Sequence, residues 1–272
     1  MTAVRAAGTP SSRPARPRRS PFGVIALLAG IALTIWCALP APIGIGFDLG
    51  RLAGNLARGQ EILGEVLSPN FAFFPQTVRP LIETFQMAVV ACVIGCAVAL
   101  PLAFVASRVT SPGRWALWAD RSVLNVVRAL PDLLYAVIFV TAVGVGPLAG
   151  VLALILFNIG VVAKLLSETV DGIDQGPIEA AWAVGASRTQ MVRSAALPQV
   201  MPHFVAFALY TFELNIRAST VIGIVGGGGI GATLQTQIRA FNWENVGLVV
   251  LELFVLVLAI ELVSVTVRRR LV

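Results

Sequence analysis

Charge is scarce in this chain. Of its 272 residues only 12% are Asp, Glu, Lys or Arg, while 57% are hydrophobic. A soluble domain carries about 25% charged residues, so the shortage excludes an ordinary soluble fold and points to an integral membrane protein. Histidine occurs once, at His203, which rules out a His-based metal site within one chain. The three cysteines, Cys37, Cys92 and Cys96, all lie in apolar stretches. Cys92 and Cys96 share a helix face, but no further ligand stands near them, so they read as small packing residues. With no convergent nucleophile or metal set, a membrane-embedded enzyme is disfavoured. Lysine also occurs once, as Lys164 followed by Leu165. A phosphate-binding P-loop needs Gly-Lys followed by Ser or Thr, so this chain cannot hydrolyse ATP in that manner. Energy for any pumping must come from a partner.

What the sequence does hold is long apolar runs. Six stretches approach the roughly 20 residues needed to cross a hydrocarbon core about 30 Å thick: 22–39, 82–106, 123–144, 147–167, 200–223 and 246–266. The reading is an all-α integral membrane protein with six transmembrane helices. Pro101 and Pro131 predict kinks, because proline removes a helix hydrogen bond. Residues 1–21, rich in Pro, Ser and Arg, read as a disordered basic cytoplasmic tail, and 22–272 as the transmembrane domain. The moderately polar segment 41–78 predicts a surface helix around Leu52–Leu67. With the N-terminus inside, fifteen of the 20 basic residues fall on the cytoplasmic side and four on the other. The positive-inside rule then places both termini in the cytoplasm of a cell whose inner membrane the chain crosses.

The stretch Val225-GGGGI-Gly231 satisfies G-x-G-x-x-G at Gly226, Gly228 and Gly231. A dinucleotide-binding turn needs a βαβ unit around those glycines. Here membrane spans flank them, so the run, including Gly227 and Gly229, either breaks the fifth span or packs tightly at a helix crossing. A plain periplasmic turn is the alternative.

On the cytoplasmic side, 168–199 reads as two short helices. Pro177 and Glu179 suit the first turn of one, and Gly185 suits its C′ position. Ser187 and Gln190 form an S-x-x-Q capping box for the next, which Pro198 ends as it begins the following span. Such a pair of helices is either an ordered connector or a docking element. Trp182, Val184, Met191 and Val192 would leave apolar surface in water, which favours docking.

These residues carry a family resemblance. Glu179-Ala180-Ala181, Gly185 and Leu197-Pro198 resemble the EAA signature of ABC-importer permeases, with Ala195 where the pattern has a larger aliphatic residue. The stretches LIETFQMA (81–88), VRALPDLLYAVIF (127–139), EAAWAVGASRTQMVRSAALPQVMP (179–202) and FELNIRASTVIGIVGGGGIG (212–231) are similar to permeases of phosphonate importers. Phosphite and phosphate permeases of that group look alike, and methionine permeases share the glycine-rich segment more loosely. The resemblance implies a type I, MetI-like fold and a homodimer with the path between its copies. It also implies two ATPase subunits seated on 171–198 and an external binding protein. The ATPase contacts would be Glu179, Ala180, Ala181, Trp182, Gly185, Ala186, Ser187, Arg188, Leu197 and Pro198. ATP and Mg would be used by the partner, none by this chain.

Intramembrane charge supplies the remaining candidates. Glu213 and Arg217 lie four apart on one helix face, and each alone costs roughly 2.5–3.5 kcal/mol at mid-bilayer. They read either as a structural ion pair or as part of a path, with Arg217, Ser219 and Thr220 lining an anion route. Asn125 and Arg128 are a second candidate pair for that route. Glu252 and Glu261, nine apart, point to opposite sides of the sixth span and read as facing neighbouring helices or a dimer interface. His203 reads as a packed or interfacial residue. The leading expectation is therefore an ATP-driven permease for a phosphorus oxyanion. Its alternatives are a permease for another small solute such as methionine, or an ion-gradient transporter using the intramembrane acids.

Overall fold

The computed structural model describes residues 21–39 and 49–271, so the expected tail, apart from Pro21, lies outside the described residues. Among the described residues twelve α-helices run in the order α1 (Pro21–Ala38), α2 (Leu49–Gly54), α3 (Leu56–Val66), α4 (Phe74–Ala106), α5 (Arg114–Ala129), α6 (Asp132–Val143), α7 (Pro147–Asp171), α8 (Gln175–Ala183), α9 (Arg188–Met191), α10 (Leu197–Ile224), α11 (Gly229–Arg239) and α12 (Trp243–Leu271). A π-helical turn, Val192–Ala196, joins α9 to α10. Among the described residues there is no strand.

The chain divides into two units, residues 1–60 and 61–272. In the first, α1 is an 18-residue apolar helix without a charged side chain. At about 1.5 Å per residue it reaches roughly 27 Å, close to the apolar thickness of a bilayer.

The second unit holds four helices long and apolar enough to cross a membrane: Phe71–Ala106, Pro147–Asp171, Arg188–Ile224 and Trp243–Arg269. Its centre is the crossing of α4 with α7. Ala88, Ala91, Gly95, Ala99 and Ala103 of α4 recur every three or four residues and are buried. They meet Ala149, Gly150, Ala153 and Ala163 of α7, also buried. Apolar burial gives helices little reason to associate within lipid, so small residues that let backbones approach and van der Waals contact supply the attraction. Gly95 shows how close the approach is: a Cβ there would stand 2.5 Å from Cβ of Asn158.

The stretch expected as the third span is built differently. The chain bends by 87° between α5 and α6. Pro131 dictates the break: the residue before a proline is pushed out of the α region, and Leu130 is extended at ψ 135°. The 12 residues of α6 reach only about 18 Å, too short for the hydrocarbon core alone. Pro101, in contrast, lies inside an unbroken α4.

A polar knot ties α4, α5 and α7 together. Asp171 at the end of α7 accepts from Ser107 Oγ at 2.7 Å and the Arg108 N–H at 2.6 Å, just beyond α4. Its other oxygen takes Arg121 of α5 at 2.9 Å. Arg121 also donates to the Ala106 carbonyl, 2.7 Å away, satisfying an orphan acceptor at the C-terminus of α4.

Candidate functional site: a capped loop and a glycine turn

The loop between α7 and α10 is shaped by its caps. Asp174 accepts the Gly176 N–H at 3.0 Å and starts α8; Pro177 is therefore its third residue, and Glu179, expected in the first turn, is its fifth and lies beyond that turn. Gly185, at φ +77°, ends the helix. Its N–H reaches the Trp182 carbonyl and that of Ala186 reaches Ala181, both at 3.0 Å, the paired bonds of a Schellman motif. The Ser187–Gln190 capping box forms with both reciprocal bonds. Gln199 in the first turn of α10 then clasps Asp174, accepting its N–H at 3.1 Å. The loop is thus held to the span that follows it.

Two further expectations about this loop are corrected. Pro198 does not end the second helix; the chain runs on through the π-helical turn into α10. A proline cannot donate the i→i−4 bond and its ring crowds that carbonyl, and a wider π turn absorbs the mismatch. Met191 is not part of the exposed apolar set either. It is fully buried, packed with Ile178, Ala195 and Ala196, with Val192 partly buried against them. Ala195 lies in this cluster, where its small side chain fits beside Met191. What remains exposed is Trp182 at 46% and Val184 at 84%. Around them stand the exposed Glu179, Ala180, Gly185, Ser187 and Arg188, with Ala181 and Ala186 half-buried; Leu197 is half-buried and Pro198 exposed.

Within the membrane the glycine run breaks the span, as the sequence allowed. α10 stops at Ile224, and α11 starts at Gly229. Gly226, Gly228 and Gly229 have φ of +100°, +80° and +67°, values that L side chains rarely adopt. Gly227 and Gly231 are buried: a Cβ at Gly231 would run into the Thr220 carbonyl, and one at Gly227 into Ile222. Close packing and positive φ both apply.

Two side chains of α4 hold this turn, and the sequence reading had given neither a role. Glu83 accepts the Gly229 N–H and Thr84 accepts the Ile230 N–H, each at 2.8 Å. A carboxylate at the N-terminus of α11 complements both its orphan donors and its dipole. On the far side of the turn the Gly146 N–H donates to the Gly226 carbonyl at 2.8 Å. The legible signal was a lone acid, Glu83, within an otherwise apolar span.

The Glu213–Arg217 ion pair exists, and a third member joins it. Arg268 of α12 approaches the other Glu213 oxygen at 3.7 Å. Glu213 is buried, whereas Arg217 is half-exposed. One carboxylate between two guanidiniums leaves a net charge of +1. Ser219 is buried and returns its hydroxyl to the Ile216 carbonyl at 2.8 Å; Thr220 does the same at 3.2 Å and is half-buried. Asn125 and Arg128 are exposed on α5. Arg128 lines a separate cavity of about 350 Å³ at the α5–α6 break, shared with Asp132, Tyr135 and Gly160. No hydrogen bond or ion pair among the described residues joins Arg128 to Arg217. Glu252 faces α4, accepting from Thr77 at 2.5 Å, whereas Glu261 and His203 are exposed. Cys92 and Cys96 pack 3.9 Å apart, Cys92 against the Ala208 carbonyl. No group of three or more His, Cys, Asp or Glu able to hold a metal occurs among the described residues.

A span interrupted by a glycine turn, together with a capped helix pair that presents apolar side chains, is the build of a membrane transport subunit of the MetI-like type. The family described as "Binding-protein-dependent transport system inner membrane component" matches residues 99–272, and the chain belongs to it. It is 37% identical over 249 residues to the phosphite transport system permease protein PtxC of Stutzerimonas stutzeri, covering 91% of this chain and 88% of that protein. It is 38% identical over 263 residues to the phosphate-import permease protein PhnE of Mycolicibacterium smegmatis, covering 96% of this chain but 48% of that protein. Among solved structures, an inward-facing MetNI methionine ABC transporter is similar at a TM-score of 0.67 and 26% identity, over 75% of this chain and 99% of that chain. The protein is therefore an inner-membrane ABC permease, a transport component and not an enzyme, which works with a binding protein and an ATPase.

Proposed function

We propose that this permease carries a phosphorus oxyanion, phosphate, phosphite or a phosphonate, inward across the cytoplasmic membrane. The observation that carries the reading is its likeness to phosphite and phosphate permeases across more than nine-tenths of its length. The net positive Arg217–Glu213–Arg268 cluster supports it, because guanidinium matches the geometry of a tetrahedral oxyanion. Two copies of the chain pair, with the path between them and both termini in the cytoplasm. Two ATPase subunits seat on the α8–α9 loop, where Trp182 and Val184 supply apolar contact and Glu179 and Arg188 the charged rim. ATP and Mg are bound by those subunits, and this chain binds no cofactor. ATP-driven closure of the ATPases draws the two loops together, and the clasp of Gln199 on Asp174 passes that motion to α10.

The test is reconstitution with the cognate ATPase and binding protein in proteoliposomes, offering phosphate, phosphite, methylphosphonate and methionine. ATP-dependent uptake of a phosphorus oxyanion supports the reading. Uptake of methionine alone, or uptake driven by an ion gradient without ATP, overturns it. A Glu179→Arg, Gly185→Asp double variant should lose the ATPase in a pull-down; retention would make the loop a mere connector.

A further inference from the structure

Arg79 and Glu83 lie one turn apart on α4, at the i,i+4 spacing where opposite charges ordinarily pair. They do not pair here. The Glu83 carboxylate is turned to the Gly229 N–H at 2.8 Å. Arg79 is exposed and makes no hydrogen bond or ion pair among the described residues. The two charges, with Gln86 one turn further on, line an open cavity of about 450 Å³ on one face of α4, together with Pro75, Val78 and Ile82. Gln86 is exposed as well. Arg79, Glu83 and Gln86 lie in the first, more polar half of the span Phe71–Ala106, and a bare guanidinium against lipid is costly. The face is therefore turned to water or to protein.

From this geometry we infer that Arg79 is an oxyanion contact of the translocation path and that Glu83 is its release device. The inference rests on the proposed phosphorus-oxyanion cargo. While the glycine turn holds Glu83, the Arg79 guanidinium is free and offers a planar fork to an oxyanion. When the start of α11 shifts away from α4, Gly229 no longer occupies the carboxylate. Glu83 then swings to its i,i+4 partner, neutralises Arg79 and displaces the anion. Thr84, whose hydroxyl accepts the next N–H at Ile230, makes the same contact without charge. It therefore anchors the turn but cannot compete for Arg79. No covalent step is involved; one carboxylate exchanges a backbone N–H for a guanidinium.

The experiment is a double-mutant cycle in the reconstituted importer, following uptake of radiolabelled phosphate, phosphite and methylphosphonate. Co-purification with the ATPase confirms that each variant assembles. Arg79→Ala should lower uptake at least ten-fold, and Arg79→Lys should recover a substantial part of it. Glu83→Gln keeps an acceptor for Gly229 but loses the charge. It should slow turnover several-fold beside native Arg79 and have no further effect in the Arg79→Ala background. Arg79→Ala uptake within two-fold of wild type overturns the contact. An equal Glu83→Gln effect in both backgrounds overturns the exchange and leaves Glu83 as a cap of α11. A wild-type importer that takes up none of the three anions refutes the cargo reading itself, an outcome distinct from either.

Discussion

The glycine run permits a graded test, because its members are glycine for different reasons. At Gly231 the obstacle is space: a Cβ would overlap the Thr220 carbonyl and press on Cα of Gly223. Both obstacles are backbone of α10, which cannot rotate aside as a side chain can, and the Glu83 and Thr84 bonds hold the start of α11 in place against α4. Overpacking of this kind costs about 1–3 kcal/mol, and Gly231→Ala should lie at the upper end. At Gly226 the obstacle is conformation: φ is +100°, but the nearest atoms to a new Cβ are Val140 and Val145 methyls at 3.4 Å. Gly226→Ala should cost the left-handed strain alone, about 1–2 kcal/mol. Gly30 of α1 has nothing within 4 Å, and Gly30→Ala should be neutral or slightly stabilising through helix propensity. Thermal unfolding in one detergent reads the order directly. At roughly 2–4 °C per kcal/mol, Gly231→Ala should melt about 6–12 °C below wild type and Gly226→Ala about 2–8 °C below. If Gly231→Ala melted with Gly30→Ala, close approach of α10 and α11 would not be the reason for that glycine.

Arg217→Ala should cut oxyanion uptake while the complex with the ATPase stays assembled; unchanged uptake would reduce the Arg217–Glu213–Arg268 cluster to a structural role. Ser187→Ala removes one half of the capping box and should destabilise the start of α9 by about 1 kcal/mol, seen as faster amide exchange at Gln190 with that at Gly176 unchanged. Asp171→Asn leaves Arg121 without its counter-ion where α4, α5 and α7 meet. It should lower the melting temperature more than Glu168→Gln does, since the Lys164–Glu168 pair is more exposed and such pairs contribute little.

Much of this protein was decided by local rules that act on the chain as it is read. Scarce charge and long apolar runs required helices in a bilayer, because an unpaired backbone in lipid is too costly for anything else open-ended. Pro131 broke the third apolar stretch because pre-proline sterics need no tertiary partner. The glycines after Val225 broke the fifth, and Gly185, Ser187 and Gln190 set the loop through contacts within a few residues of one another. Glu213 and Arg217 were legible because i,i+4 spacing alone brings them together.

What the sequence did not decide is which long-range partner each polar group takes. Arg268 counted as a terminal inside charge, yet folding brings it to Glu213, some fifty residues earlier in the chain. Glu83 stood at pairing distance from Arg79, yet the structure sends it to Gly229 of α11. Met191 belonged by sequence to an exposed apolar set, yet it is fully buried beside Ile178. Helix periodicity ranks the neighbours on one helix but is silent about the neighbour across a crossing. In a medium without water, a polar group takes whichever partner the packing brings within reach, and the close approach of α4, α7, α10 and α11 through small residues makes that choice here.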